Sequence, residues 1–556
     1  MEYLKSIYVG ADSILTVLGD KSETLSALAE GKSGLRPSQE FGMMIGAIDR
    51  THSLSQKIDG YTFFESLIIN QLRKIFGDSR LSPDNPDLLV VFSTTKGNVN
   101  LLSSSTEQLP ENVFLYDSAV RIGHYWGLVH NPVVISNACI SGVSAMIVGR
   151  EMILANKCKH VIVVGCDVLS SFITEGFASF KSISRTPCRP YDEKRDGLTL
   201  GEACGAILLT SEREYAVEPF VMLSGGAITN DANHISGPSR TGDGLFYAID
   251  GALKESGLSA EDIGFVNAHG TATLYNDEME SKAMVWAGLG KTPLNSLKGY
   301  LGHTLGASGV VETVISIWQL RNKLIYGTCG FESLGTSCPI QVSASVQYFD
   351  SLSCVKTASG FGGCNAAIVL TMAETCNSVE CKKQTVREIA SYILPQSDLP
   401  FAEFIRIQYK QLGESNLKFY KMSDLCKAAY VSIANLLHDS LLADQIDPLR
   451  IAIILSNKSS SLDTDIEHQR IVNKHNPEGA SPAVFVYTLP NVATGELCIR
   501  HHIKGNNTFF IEQEDTRIAE EYARILLQSN KADVAICGWC EKLRENWNVK
   551  LKLLIV

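Results

Sequence analysis

The sequence predicts a layered α/β fold followed by a second, smaller α/β domain. Apolar strand-like runs alternate with amphipathic helix-like runs through roughly the first 370 residues, as in proteins whose strands are buried between helices. The run "MAETCNSVECKKQTVREIAS" at 372–391 is polar and charged, which is typical of a linker or a bridging helix. Beyond it the alternation resumes from about 392 to 556. A chain of 556 residues is too long for one core, so two or more domains are expected.

The individual elements follow from their periodicity. Strands are predicted where short runs are rich in Val, Ile and Leu: 88–93, 132–138, 160–166, 205–210 and 263–270. Helices are predicted where apolar residues recur at helical spacing: 22–32, 62–76, 142–156 and 243–257. Because the strands are apolar throughout, we expect helices to cover both faces of the sheets.

Composition excludes several classes of protein. Hydrophobic content of 45% and charged content of 20% are typical of a globular chain, and the net charge of −11 argues against a nucleic-acid-binding surface. The N-terminus lacks a signal-peptide layout, and no run approaches the roughly 18 apolar residues of a membrane span, so a cytoplasmic location is expected. The 15 cysteines are then expected to stay reduced. "CGWC" at 537–540 is interpreted as strand-end packing rather than a redox or metal site.

The C-terminal region resembles part of the first region. Cys139 lies 28 residues before Asp167, and Gln513 lies 28 residues before Glu541. In this ungapped register five positions are identical: Arg150/Arg524, Asn156/Asn530, Lys157/Lys531, Ile162/Ile536 and Cys166/Cys540. Preceding elements match in order and spacing as well. These matches predict a duplication whose second copy is truncated shortly after Glu541.

Cys139 is the first candidate for chemistry. Small residues surround it: Ser136, Ala138, Ser141, Gly142 and Ser144. A buried structural cysteine does not need such neighbours, whereas a cysteine on a tight strand-to-helix turn does, because backbones pack closely there. At a helix N-terminus the dipole and the free N–H groups stabilise a thiolate and can form an oxyanion hole. From these residues alone, a core cysteine and a nucleophile both remain open.

Two histidine motifs favour the nucleophile. "VNAHGTAT" places His269 at the end of a strand-like run, and "SLKGYLGHTLGASG" places Lys298 five residues before His303, with Glu312 nine residues beyond it. One histidine among glycines is usually a loop residue. Two such loops, each between a strand-like and a helix-like run, predict strand-end loops that converge on one site. "GFGG" at 360–363 is a glycine loop without a P-loop lysine, so it is weak support for phosphate binding.

Together these motifs resemble those of the elongating β-ketoacyl-ACP synthases of the thiolase superfamily. Cys139 in "NACISG", His269 in "NAHGTAT", Lys298 and His303 in "SLKGYLGHTLGASG" and Phe361 in "GFGG" occur in the family's order. The resemblance implies a thiolase-like layered α-β-α-β-α fold with two pseudo-repeated halves in residues 1–373. It also implies a linker at 374–390 and a truncated, inactive ketosynthase-like domain at 391–556.

The chemistry that the resemblance implies is a decarboxylative condensation. Cys139 would take an acyl group from acyl carrier protein (ACP). Malonyl-ACP would then lose CO2 and attack that acyl group to give 3-oxoacyl-ACP, in fatty-acid or polyene/polyketide-type biosynthesis. His269 and His303 would hold the malonyl thioester oxygen, and Lys298 with Glu312 would orient His303. A surface salt bridge is the alternative for that lysine–glutamate pair.

The resemblance also implies how substrates are held. Thr271 and Thr273 would bind the phosphopantetheine arm, and Phe361 and Phe177 would gate the pocket, with plain core packing as the alternative for both phenylalanines. No cofactor is implied beyond the 4'-phosphopantetheine of ACP, and no metal. His303 separates this chain from thiolases, which have a cysteine there, and from chain-initiating synthases, which have an asparagine.

The second domain resembles the N-terminal half of the same fold. With Gln513 at the nucleophile position it cannot form a thioester. This is similar to chain-length factors, the inactive partners of ketosynthases; decay of a duplicated domain is the alternative. In thiolase-type dimers the strand before the nucleophile pairs across the two-fold axis, so 505–513 would pair with 131–139 in a pseudo-heterodimer, unless a homodimer uses that strand. A catalytically silent ketosynthase-like partner and a CoA-dependent acyltransferase or thiolase are the alternative functions.

Overall fold

The computed structural model describes residues 5–104, 109–372, 384–438, 446–474 and 479–556. The strands are β1 Tyr8–Thr16, β2 Gly19–Asp20, β3 Arg36–Ser38, β4 Met43–Gly46, β5 Leu88–Ser93, β6 Val133–Ile135, β7 His160–Asp167, β8 Leu200–Gly201, β9 Ala203–Thr210, β10 Met222–Asn230, β11 Phe265–Asn267, β12 Pro293–Asn295, β13 Leu324–Ile325, β14 Gln341–Val342, β15 Gln347–Tyr348, β16 Ser353–Gly360, β17 Cys364–Thr371, β18 Arg387–Ile393, β19 Ile451–Asn457, β20 Asn507–Ile511, β21 Val534–Leu543 and β22 Asn546–Ile555. The helices are α1 Lys21–Ala29, α2 Phe63–Ser79, α3 Leu115–Trp126, α4 Ser141–Leu154, α5 Ser171–Ser179, α6 Asp243–Ser256, α7 Leu274–Trp286, α8 Lys298–Leu301, α9 Ser308–Arg321, α10 Phe401–Gln411, α11 Asp424–His438, α12 Leu462–Asn473, α13 Pro482–Val486, α14 Val492–His501 and α15 Ile518–Gln528.

The first domain consists of two sheets with helices between and outside them. Its first sheet has the order β1–β9–β7–β5–β6, and its second has the order β10–β17–β16–β11–β12–β14. Helices α4 and α9 contact both sheets, α2 packs on the outer face of the first sheet, and α6 packs on the outer face of the second. The predicted layered α-β-α-β-α fold with two halves is confirmed.

The two central helices, α4 and α9, approach each other closely where they begin. Each follows a short helical turn whose first residue has a positive φ, 48° at Ala138 and 55° at Leu305. Gly142 permits the contact, because a Cβ atom there would lie 2.8 Å from the backbone nitrogen of Val310. The segments that precede α4 and α9 are therefore held face to face in the middle of the domain.

The second domain repeats the topology of the first sheet. Its strand order is β18–β22–β21–β19–β20, with the same parallel and antiparallel pairings, and α11 packs on this sheet as α2 does on the first. A carboxylate contact is repeated too. Asp167 accepts the N–H of Thr95 at 3.0 Å, and Glu541 accepts the N–H of Ser459 at 3.1 Å. The two domains therefore share a sheet topology and a carboxylate contact, and both support the duplication that the sequence predicts.

The two domains are joined within one chain through their edge strands. β6 pairs antiparallel with β20, with Ile135 opposite Phe510 and Val134 opposite Ile511. This is the strand pairing expected for the pseudo-heterodimer, and it forms in cis. It occupies the edge of β6 that a homodimer through the same strand would need.

The second domain begins earlier than the sequence predicted. Residues 374–383 of the predicted linker lie outside the described residues, but 387–390 are the first residues of β18, which pairs with β22. β18 is an edge strand whose side chains are largely exposed. Its polar composition therefore resembled that of a linker, although its backbone completes the sheet.

The two cysteines of "CGWC" are not at the end of a strand. Cys537 and Cys540 lie inside β21 as buried free thiols, rather than at the strand end that the sequence indicated. Within the described ranges, no helix combines the length and the apolar character that crossing a bilayer requires.

Candidate active site

Three loops bring Cys139, His269 and His303 together. Cys139 lies between β6 and α4, His269 follows β11, and His303 lies between α8 and α9. The sulfur of Cys139 is 3.1 Å from Nε2 of His303, and the two imidazole rings are nearly perpendicular with centroids 5.1 Å apart. Both histidines are buried, and Cys139 faces a small cavity. The motif loops therefore meet at one site.

His303 presents an N–H group to the cysteine. The backbone N–H of Leu305 donates to Nδ1 of His303 at 3.3 Å, so the ring hydrogen belongs on Nε2, the nitrogen that faces the sulfur of Cys139. Burial, followed by the charges of Lys298 and Lys356, lowers the pKa of His303 well below its usual value. The ring is a neutral imidazole with one donor aimed at the reaction site.

His269 is a second neutral imidazole, held through its backbone. Its N–H donates to Oε1 of Glu280 at 2.9 Å, and the N–H of Thr271 donates to Asp277 at 3.0 Å. Burial is the main cause that lowers the pKa of His269 well below its usual value. Among the described residues, its buried Nδ1 has no hydrogen-bond partner. The loop is fixed while a ring nitrogen stays available to a ligand.

A buried carboxylate lies between two lysines near the imidazoles. Nζ of Lys298 is 2.7 Å from Oε1 of Glu312, and Nζ of Lys356 is 2.5 Å from Oε2. Burial alone would raise the pKa of Glu312, but the two ammonium groups outweigh it and hold that pKa below its usual value. Two cations on one anion leave net positive charge here, which opposes protonation of the histidines. Burial of all three groups excludes the surface salt bridge.

Cys139 rests as a thiol rather than a thiolate. Burial raises the pKa of Cys139 to about 12, while Lys298 and the backbone N–H groups of Cys139 and Phe361 act in the opposite direction. Those two N–H groups lie at the sulfur, which is the arrangement of an oxyanion hole. The set of one sulfur and two imidazoles, with donor atoms within 4.8 Å of one another, also matches the donor types of a zinc site. A zinc ion bound there would be coordinated by the sulfur of Cys139, which would then not be free to act as a nucleophile.

A cavity of about 20 Å³ adjoins Cys139. Phe177 and Phe361 line it with stacked rings whose centroids are 6.0 Å apart. Phe485 of the second domain packs against Phe177 with a centroid distance of 5.3 Å. The two residues predicted as gates therefore meet at the cavity, and the second domain adds a third ring.

Thr271 and Thr273 lie side by side in the loop after His269. Their Oγ1 atoms are 2.9 Å apart. Thr271 is buried and Thr273 is half-buried, while the next residues, Leu274 and Tyr275, are exposed. The two hydroxyls thus lie between the buried His269 and the surface.

Two family models match this domain. The model "Beta-ketoacyl synthase, N-terminal domain" matches residues 64–214, and "Beta-ketoacyl synthase, C-terminal domain" matches residues 220–332. The first match contains Cys139, and the second contains both histidines. The first domain belongs to the β-ketoacyl synthase family. Both matches fall in the first domain, which we call the ketosynthase domain.

Curated relatives agree with this family. The chain is 30% identical over 262 residues to "3-oxoacyl-[acyl-carrier-protein] synthase 2" of Vibrio cholerae, covering 44% of this chain and 63% of that protein. It is 27% identical over 263 residues to "Polyketide biosynthesis malonyl-ACP decarboxylase PksF" of Bacillus subtilis, covering 45% and 63%. The chain thus spans less than two thirds of the length of either relative.

One of two solved structures matches about two thirds of this chain, and the other matches nearly all of it. The ketosynthase ApeO of Xenorhabdus doucetiae, solved in complex with its chain length factor ApeC, is 26% identical, with a TM-score of 0.58 over 66% of this chain and 98% of that chain. "PfaC Keto synthase-Chain length factor" has a TM-score of 0.78 over 99% of this chain and 78% of that chain. At 14% identity, the second match shows a shared fold of both domains and nothing more.

The second domain contacts the ketosynthase site through two asparagines. The side chain of Asn137, two residues before Cys139, donates to the carbonyl of Asn507 and accepts the N–H of Phe509, both at 2.8 Å. Asn491 of the second domain donates to the carbonyl of Phe361 at 2.8 Å. Both segments whose N–H groups lie at the sulfur of Cys139 are therefore held across the domain boundary.

Gln513 lies on the surface and not in a second site. It belongs to the connection between β20 and α15 and is exposed. The preceding Glu512 accepts the N–H of Ile518 at 2.7 Å, which fixes this connection without the glutamine. The side chain of Gln513 is therefore not packed in place of a nucleophile.

Several residues of the site escaped the sequence reasoning. Asp277 and Glu280 hold the His269 loop and were not predicted; their i, i+3 spacing on α7 after the histidine loop was a usable signal. Lys356 lies inside an apolar strand, where a lysine is rare unless paired, and that position was also a signal. Asn491 and Phe485 carried no signal, because only domain docking brings them to the site.

Proposed function

We propose that the chain catalyses decarboxylative condensation of an acyl group with malonyl-ACP, through an acyl-Cys139 intermediate, to give 3-oxoacyl-ACP. The observation that carries this proposal is the sulfur of Cys139 lying 3.1 Å from a neutral imidazole, with a second neutral imidazole beside it. The protein's own side chains carry out the reaction, and the substrates are carried on the 4'-phosphopantetheine of ACP.

In the first step the acyl group moves from one thiol to another. The sulfur of Cys139 attacks the acyl thioester, and the tetrahedral oxyanion is held by the N–H groups of Cys139 and Phe361. The pantetheine thiolate leaves and takes up the proton that Cys139 gives up. Because burial disfavours a free thiolate, we expect the thiol to lose its proton only when a thioester is bound.

In the second step malonyl-ACP becomes the nucleophile. N–H donors on His269 and His303 bind the malonyl thioester oxygen, so the electron pair left by departing CO2 is stabilised as an enolate. The enolate carbon attacks the acyl carbonyl, the carbon–sulfur bond to Cys139 breaks, and the thiolate takes up one proton from solvent. Imidazolium rings would bring two more positive charges beside Lys298 and Lys356, so the neutral state is favoured.

The second domain is proposed to act as an inactive partner supplied in cis, in the manner of a chain-length factor. Its contacts to Asn137 and Phe361 support this role, and no reaction is assigned to it. ACP is the proposed partner in trans. Since β20 already covers the edge of β6, the pseudo-heterodimer is favoured over a homodimer through that strand.

Intact-mass measurement after incubation with acyl-ACP tests the function. The wild-type chain should gain the mass of the acyl group, and Cys139→Ala should gain nothing. His303→Ala should still acylate but should not release CO2 from malonyl-ACP. Absence of an adduct and of CO2 release would favour the silent-partner alternative. Faster acylation by acyl-CoA than by acyl-ACP would favour the CoA-dependent acyltransferase or thiolase.

A further inference from the structure

We infer that Lys96 and Asp465, one from each domain, form the end wall of the acyl pocket and restrict the ketosynthase to short acyl groups. This inference rests on the proposed function and adds the substrate class. Nζ of Lys96 is 2.7 Å from Oδ1 of Asp465. Lys96 follows β5 in the ketosynthase domain, and Asp465 lies on α12 in the second domain.

The position of Lys96 makes it a partition between two cavities. The cavity of about 20 Å³ at Cys139 is bounded by Thr95 and Lys96 on one side. A second cavity, of about 10 Å³, has the same two residues in its wall together with Asp465, but does not reach Cys139. An acyl chain on Cys139 must therefore pass Lys96 to reach the second space.

The wall is held too firmly to act as a gate. Nζ of Lys96 donates to Asp465, to Ser461 Oγ at 3.1 Å and to the carbonyl of Thr488, so the ammonium group has a partner for each of its three hydrogens. The backbone N–H of Lys96 points to Asp167 at 3.4 Å. Displacing the side chain would break three hydrogen bonds and leave a buried charge without its counterion, which is strongly unfavourable.

The polarity of the wall also opposes a hydrocarbon chain. The rest of the cavity at Cys139 is largely apolar, with Phe177, Leu305, Phe485 and Leu489 in its lining. A methyl terminus that fits this space meets the charged Lys96 side chain at its end, where it gains no apolar contact. All the donors of Lys96 are already used, so a polar chain terminus gains no hydrogen bond from it either.

The chain-length profile of acylation tests this inference. Cys139 acylation rates are measured by intact mass with acetyl-, butanoyl-, octanoyl- and dodecanoyl-ACP, for the wild-type chain and for Lys96→Ala/Asp465→Ala. The wild type should react with the first two and lose about tenfold or more in rate with the longer two, the scale of discrimination by a few methylenes. The double variant joins the two cavities and should recover octanoyl transfer by about tenfold.

A matched control removes a different ion pair between the domains. Lys458 and Asp117 are 2.9 Å apart and line neither cavity, so Lys458→Ala/Asp117→Ala should keep the wild-type profile. An equal shift in this control would overturn the inference, because general loosening of the domain contact would then explain the effect. A double variant of Lys96 and Asp465 with the wild-type profile would overturn it too.

The wild-type profile is a second test that needs no folded variant. Equal rates with butanoyl- and dodecanoyl-ACP would overturn the length limit and leave the proposed condensation intact. Acylation by none of the four would overturn the proposed function, and this inference with it.

Discussion

Asn137→Ala tests whether the second domain holds the nucleophile loop. The side chain of Asn137 is fully buried and makes two hydrogen bonds to β20, one to the carbonyl of Asn507 and one from the N–H of Phe509. Truncation leaves both backbone groups buried without this partner. Since Cys139 is only two residues away, the loss acts on the junction and the site together.

The expected cost follows from those two groups. Leaving a buried donor or acceptor unsatisfied costs about 1–3 kcal/mol each. The two share one side chain and one strand, so their effects are not additive, and we take about 3 kcal/mol in total. At about 1.4 kcal/mol per tenfold, that is about a hundredfold change in the equilibrium for opening the junction.

Hydrogen exchange of β20 measures this opening directly. In Asn137→Ala the amides of Asn507–Ile511 should exchange about a hundredfold faster than in the wild type, and acylation of Cys139 should slow by about tenfold or more because its loop shifts. Asn98→Ala is the matched control. The side chain of that buried asparagine makes three hydrogen bonds, all of them within the ketosynthase domain. Exchange of β20 within about threefold of wild type in Asn137→Ala would refute the reasoning.

Three further predictions concern the charges and the degenerate position. Glu312→Gln removes the anion between two buried lysines and should lower the free energy of unfolding by about 3–5 kcal/mol in denaturant titrations; a change under about 1 kcal/mol, the scale of a surface ion pair, would contradict the buried geometry. Lys356→Met removes a charge that lowers the pKa of His269 and His303, so both pKa values should rise. The acid limb of CO2 release from malonyl-ACP should then move to higher pH, and an unmoved limb would argue against neutral imidazoles. Gln513→Ala should leave the rates of acylation and CO2 release unchanged, because that side chain is exposed; loss of either rate would give it a role.

The fold was predictable because its signals are local. Apolar runs at 88–93 and 160–166 became β5 and β7, and the helix predicted at 62–76 became α2. Side-chain periodicity indicates such elements from the local sequence alone. The start of the second domain was not predictable in this way, because β18 has exposed side chains and is stabilised by backbone pairing with β22. That pairing leaves no apolar pattern in the sequence.

Only those residues of the site that lie in short sequence motifs were predictable. Cys139, His269 and His303 each lie in a short glycine-containing motif, and the structure brings the three together. Lys96 and Asp465 lie in no such motif. Their pairing depends on how two domains dock over more than three hundred residues of chain, and spacing in the sequence contains no information about that geometry.

Helix α4 follows β6 in the first domain, and α15 follows the equivalent strand β20 in the second. The difference between these two helices explains how the second domain keeps its fold without a second active site. Every residue of α4 but its last is buried, because α4 lies between two sheets. In α15 only one face is buried, and Glu520 on the other face pairs with Arg524 at 2.8 Å and Lys552 at 3.0 Å. A helix with such a charged face is stable against water and does not need a second sheet over it. The apolar face of α15 still packs on the sheet and on α4. The domain therefore retains the contacts that support the Cys139 loop, whereas the surface around Gln513 is polar and open.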